Sequence, residues 1–131
     1  MTMAVELKLL GVAVIIGLTQ MLWAAAAARR QQGLKWAAGS RDEPRPIAGA
    51  AARLDRAFAN FKETFVFFAV IVVALAFAGK SSELSRWGAD IYLAARIFYI
   101  PLYAFGVVGV RSLAWIVSLI GILMCLFTLF F

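Results

Sequence analysis

Four stretches of this 131-residue chain are almost continuously apolar: Leu7 to Ala28, Phe58 to Ala78, Gly88 to Val110 and Leu113 to Phe131. Each is close to the ~20 residues that an α-helix needs to cross a hydrocarbon core. The polar connections between them include "RRQQGLKWAAGSRDEPRPIAG" and "GKSSELSRWG". The pattern predicts an all-α fold, an integral membrane bundle of four transmembrane helices, with residues 1–131 as a single domain. In the first connection Asp42, Pro44 and Pro46 mark irregular backbone, since each proline disfavours helix at the residue before it. The second long helix is therefore expected to begin near Ile47 and to stand clear of the bilayer for two turns.

Composition narrows the class. The chain is 64% hydrophobic and 15% charged, with a mean hydropathy of +0.90, which excludes a small soluble domain. So little chain lies outside the spans that no separate soluble catalytic domain fits, and any site is intramembrane or interfacial. The first run, at about 22 residues, is longer than the ~7–15 of a signal-peptide core and follows a mixed Glu6 and Lys8 rather than a basic segment, so it is read as a span. Seven of the 13 Lys and Arg residues fall between Arg29 and Arg56. By the positive-inside rule this first loop is cytoplasmic, and both termini and the 79–88 turn lie on the opposite side. In so apolar a chain a net charge of +6 sets topology and binds anions; it does not point to nucleic acid. With no histidine and one cysteine, Cys125, inside the last apolar run, neither a metal site nor the usual general base is expected.

Two polar stripes remain. Arg53, Arg56, Asn60 and Glu63 are spaced 3, 4 and 3, which puts them within roughly 80° on one helix face. Lys62 falls on the other side, where it can snorkel. In the third run Tyr92, Arg96, Tyr99 and Tyr103 are spaced 4, 3 and 4 and fall within about 60°. Arg96 sits near mid-span, where a charge costs from ~3 to over 10 kcal/mol and must face a partner, a ligand or water. Glu63 is the expected partner, and the two alone could be an ion pair that only pins two helices. Against that, Arg30, Arg53, Arg56, Arg96 and Arg111 can converge at the cytoplasmic half with Glu63 as the main acid, and excess buried positive charge among phenols suits an anion. Pro101 removes a backbone donor between Tyr99 and Tyr103 and is expected to kink the helix, with the further reading that the kink turns Tyr103 toward a cleft.

The residues resemble a known family, the membrane-associated proteins in eicosanoid and glutathione metabolism (MAPEG). The resemblance rests on Arg56, Asn60 and Glu63 in "RAFANFKETF", on Arg96, Tyr99 and Tyr103, on the "AARR" that closes the first span, on Arg111 with Ser112, and on "GSRDEPRP", which is similar to the loop of bacterial members. It covers essentially the whole chain. It implies a homotrimer of four-helix bundles in a cell membrane, here the bacterial inner membrane, with glutathione as cosubstrate between adjacent subunits, no metal, and membrane lipids and a hydrophobic small molecule as further partners. On this resemblance Arg30 and Arg56 would pair with the carboxylates of glutathione, Asn60 with its peptide and Glu63 with its ammonium. Tyr99 and Tyr103 would line the tripeptide, Arg96 would brace the acid, and Arg53 would be an extra contact. Arg111 would face the sulfur, with Ser112 as a weaker donor and Arg30 as the alternative to Arg111. Phe58 stands where many members have His or Gln, and Ala59 where some have arginine, so one polar contact to the tripeptide is absent.

The implied activity is that of a glutathione transferase or lipid-hydroperoxide peroxidase acting on apolar electrophiles. The rival is a non-catalytic lipid-binding or scaffold protein of the same fold, since the family includes one; a channel or transporter ranks third, because broken helices in both halves are lacking. The charge pattern gives the first test. Reporter fusions at Thr2 and after Phe131 are expected to report both ends on the non-cytoplasmic side, and a cytoplasmic signal from either end would overturn the four-span arrangement or its orientation.

Overall fold

The computed structural model describes residues 2–131. Among them the chain forms four long helices and one short one: α1 (Val5–Gln32), α2 (Leu34–Ala38), α3 (Gly49–Ala78), α4 (Glu83–Ala104) and α5 (Val108–Phe130). No strand is present among these residues. Three helices, α1, α3 and α5, are long and apolar enough to cross a membrane. α4 is not among the three, because Asp90 and Arg96 sit within its apolar part. Arg96 is only 1% exposed, so hydropathy counts against α4 a charge that the fold hides.

The exterior is apolar where a soluble protein would be polar. Phe77 is 94% exposed, Phe67 66% and Leu22 65%, and side chains of this size at this exposure belong against lipid. Inside, Ala13, Phe68, Val72, Leu75, Ala89, Tyr92 and Cys125 form the core. Tyr92 is fully buried and stacks on Phe68 with ring centroids 4.2 Å apart. Its hydroxyl is 3.1 Å from that of Thr64, which satisfies a phenol that would otherwise be unpaired in an apolar interior. Tyr92 thus leaves the stripe that its spacing assigns it to and becomes core.

α5 packs most extensively on α4, and α1 on α3. The α4–α5 crossing needs two glycines. A Cβ on Gly121 would lie 2.5 Å from the carbonyl oxygen of Gly88 and 2.7 Å from the Tyr92 nitrogen, so the backbones touch where no side chain fits. At this end of the bundle Glu6 is buried and accepts hydrogen bonds from Ser81 (2.7 Å) and Ser85. Ser82 and Ser85 form a capping box that starts α4.

Three boundaries differ from expectation. α3 begins at Gly49 rather than Ile47, because the Ala48 backbone is held on both sides by the Gln31 amide, its N–H donating and its carbonyl accepting, each at 2.9 Å. The short α2 lies inside the connection expected to be irregular; five residues are too few to carry a period. α4 ends at Ala104, well before the end of the apolar run at Val110. Gly106, at φ +74°, turns the chain left-handed, and the N–H groups of Gly106 and Val107 return to the carbonyls of Tyr103 and Leu102, the hydrogen-bond pair of a Schellman cap. Arg111 and Ser112, expected at the joint of the last two helices, therefore stand in the first turns of α5.

The glycine crossing yields a direct test. Gly121→Ala is expected to lower stability by about 1–3 kcal/mol through overpacking, seen as a drop in unfolding temperature in detergent micelles. Gly11→Ala, where an added Cβ meets nothing within 4 Å, should leave that temperature unchanged or slightly raised.

Candidate functional site

A cavity of about 430 Å³ opens between α3, α4 and α5. α3 supplies Arg56, Ala59, Asn60 and Glu63; α4 supplies Tyr99 and Tyr103; α5 supplies Arg111, Ser112 and Trp115. The volume lies within the ~300–1,000 Å³ usual for small-molecule sites. Seven of the ten residues singled out from the sequence line it. They come together because Arg56, Asn60 and Glu63 share a face of α3, Tyr99 and Tyr103 are one turn apart on α4, and the cap at Gly106 folds α5 back across them.

Arg96 lies beneath the cavity and is buried. Its Nη1 donates to Asn60 Oδ1 at 2.9 Å, and its guanidinium carbon stands 4.2 Å from the centroid of the Tyr99 ring and 5.8 Å from that of Phe61. The expected Arg96–Glu63 ion pair is not formed. Among the described residues the sole ion pair is Arg86–Glu83, at 2.9 Å on the surface of α4. Asn60 takes the position expected for the acid and leaves Glu63 exposed toward the cavity. Arg96 Nε and Nη2 have no protein partner, so this buried cation is held by one amide and two aromatic faces.

Arginines and phenols alternate up the wall. Arg56 Nε donates to the Tyr103 hydroxyl at 3.1 Å, and the Arg111 guanidinium carbon lies 4.5 Å over the Tyr103 ring. Tyr99 and Tyr103 have centroids 5.6 Å apart. Ser112 donates to the Val108 carbonyl at 3.3 Å, so its hydroxyl is already engaged within α5. Glu63 is the one acid on the lining, which it shares with Arg56 from α3 and Arg111 from α5.

Two sequence-derived candidates lie elsewhere. Arg30 is exposed in the last turn of α1, and α1 contributes nothing to the cavity wall, so within one chain it does not reach the site. Arg53, one turn before Arg56, is partly buried and donates Nε to the Ala104 carbonyl at 2.9 Å; it does not line the cavity. Trp115 was missed, although its position four residues after Arg111 places it on the same face of α5. No cluster of His, Cys, Asp or Glu able to hold a metal occurs among the described residues.

Residues 9–131 match the sequence profile of the MAPEG family. The chain belongs to the MAPEG family. No curated protein and no solved structure matches it at a significant level, so the family is carried by the profile and the site by its own geometry. This MAPEG chain is membrane-associated, and its family includes glutathione transferases and related proteins.

The Arg96–Asn60 contact ties α3 to α4 directly under the cavity. Asn60→Ala is expected to cost ~1.5–3 kcal/mol, the range for a hydrogen bond to a charged group, read as a lowered unfolding temperature in detergent. Lys62→Ala, which removes an exposed side chain whose ammonium lies 4.7 Å from the Phe58 ring centroid, should change it little.

Proposed function

We propose that this MAPEG protein is a glutathione-dependent membrane enzyme, a transferase or lipid-hydroperoxide peroxidase for apolar electrophiles that arrive through the bilayer. The observation that carries the reading is the charge on the cavity wall: Arg56, Arg111 and Glu63 all line it, and none is in an intrachain ion pair. A site with unpaired charges of both signs beside two phenols is complementary to a zwitterionic tripeptide with two carboxylates. A cleft meant only for lipid tails would have no use for charges that are costly to desolvate. This separates the enzyme from the scaffold alternative.

The roles follow the positions. Arg56 offers a guanidinium fork to a carboxylate, Glu63 accepts from the ammonium, and Tyr99 and Tyr103 flank the peptide. Arg111 faces the sulfur and favours the thiolate, since an adjacent cation stabilises the charged form of an acid. A free thiol with a pKa of ~8.5 is only a few per cent ionised at neutral pH, and the thiolate is the nucleophile. In transfer, the thiolate forms the carbon–sulfur bond as the leaving group departs with its electron pair. In peroxidation it attacks the distal oxygen, the O–O bond breaks, the alkoxide leaves and takes up a proton to become the alcohol, and the thiol of a second glutathione attacks the sulfenic sulfur to give the disulfide and water.

In this reading α4 is the fourth span and the basic first loop faces the cytoplasm. The chain works as a homotrimer. Arg56 and Glu63 are exposed on the cavity side of α3, and a neighbouring copy closing over the cavity takes them off the lipid face; it is also the route by which Arg30 would reach a site that it cannot enter within its own chain.

The test is binding of glutathione to the detergent-solubilised protein, then turnover of a generic aromatic electrophile. Binding with turnover supports the enzyme, binding alone the scaffold, and neither would defeat both. With glutathione bound, the thiolate absorbance band near ~240 nm is expected to appear at lower pH in the wild type than in Arg111→Ala. Identical titrations with turnover intact would reduce Arg111 to a cation at the start of α5 with no part in the chemistry.

A further inference from the structure

Each of the last four carbonyls of α4 has an identified donor, although a helix end leaves these groups without intrahelical partners. Pro101, Leu102 and Tyr103 accept from the backbone N–H groups of Phe105, Val107 and Gly106, at 3.0, 2.9 and 3.0 Å. Ala104 is the fourth, and its donor comes from another helix: Arg53 Nε, at 2.9 Å.

We propose that Arg53 is a positioning residue, a fixed clamp that sets the last turn of α4 and so fixes where Tyr103 and Arg111 stand over the cavity, without touching the ligand itself. The proposal rests on the glutathione reading for what the site binds. Two arginines one turn apart on α3 grip two consecutive residues of α4, and they do so through different groups. Arg56 holds Tyr103 by its phenol oxygen at 3.1 Å; Arg53 holds Ala104 by its main chain.

That difference divides the labour. A phenol is a neutral acceptor of one arm, whereas a carboxylate brings a full opposite charge and can take both arms of the guanidinium fork, so an arriving anion draws the exposed Arg56 away from Tyr103. The carbonyl of Ala104 cannot turn away in the same manner without unwinding the cap at Gly106. The Arg53 guanidinium also sits at the negative end of the α4 dipole, where a cation is favoured. When Arg56 releases Tyr103 to take the ligand, Arg53 keeps the turn in place.

Side-chain packing adds little to these hydrogen bonds. Phe105 is 83% exposed and Val108 65%, so the joint between α4 and α5 has few packing contacts. The Arg111 guanidinium, 4.5 Å from the Tyr103 ring centroid, follows the joint, and so does the distance between the two cations that line the cavity.

The experiment compares wild type, Arg53→Gln and Arg53→Lys in the full-length protein. Spin labels at Val73 on α3 and Val108 at the start of α5, diluted with unlabelled protein, report the joint in the ligand-free state, and glutathione affinity and turnover report the site. Arg53→Gln is expected to broaden the label–label distance distribution and weaken glutathione binding about tenfold, with the turnover number at saturation changed far less. Arg53→Lys, which can still donate to the Ala104 carbonyl, should recover most of both and keeps the comparison available if the glutamine variant does not fold. An unchanged distance distribution with weakened binding would mean that Arg53 contacts the ligand directly, and the clamp is overturned. A broadened distribution with affinity intact also overturns it, because the joint then moves without consequence for the site. If the wild type binds no glutathione, the functional reading fails by itself, and the label distances still decide whether Arg53 holds the joint.

Discussion

A guanidinium enclosed in an apolar helix bundle is the constraint around which this protein is arranged. Arg96 is 1% exposed, and a charge so placed persists only if the surrounding groups compensate for the loss of water. Asn60 supplies an acceptor and Tyr99 and Phe61 supply ring faces. Asn60 and Phe61 belong to α3 and Arg96 to α4, so their contacts fix how the two helices are rotated against each other, while Tyr99, on α4 itself, covers the guanidinium from its own helix. The residues one turn away, Arg56, Glu63 and Tyr103, then line a common cavity. The pocket is in this sense a by-product of housing one charge.

Much of that was legible in the sequence, because the stripes at helical spacing depend only on the geometry of a helix and not on how helices meet. The grouping of Arg56, Asn60 and Glu63 needed nothing more. What spacing could not supply was the offset between helices. Asn60 and Glu63 lie on the same face, so nothing in the order of residues decides which one Arg96 meets; the vertical register of α3 against α4 decides it. Tyr92 shows the same limit, since it shares a face with Tyr99 but lies deeper, opposite Phe68 and Thr64. The end of α4 was hidden for another reason. "YAFGVVGV" is apolar throughout, and a helix stop made by a left-handed glycine within an apolar run leaves no trace in hydropathy.

The two ends of the bundle differ in kind. At one, Gly88 and Gly121 bring α4 and α5 into backbone contact and Glu6 is buried among serine hydroxyls. At the other, the same two helices and α3 line a cavity walled by arginine and tyrosine. Tight packing at the first end removes freedom that the second would otherwise exploit, so the cavity can hold exposed charge without the bundle opening along its length. Membership of the MAPEG family accounts for the overall plan, and this contrast between ends shows how the chain realises it.

Cys125 offers a last point. The chain has a single thiol, and it is fully buried on α5, donating a weak hydrogen bond to the Ser85 carbonyl at 3.4 Å, on the face where α5 meets Gly88. Soft electrophiles, the compounds that glutathione intercepts, alkylate accessible thiolates without regard to whose they are. With its one thiol enclosed, the chain presents no cysteine to such compounds, and any sulfur chemistry in the cavity would belong to a bound ligand alone.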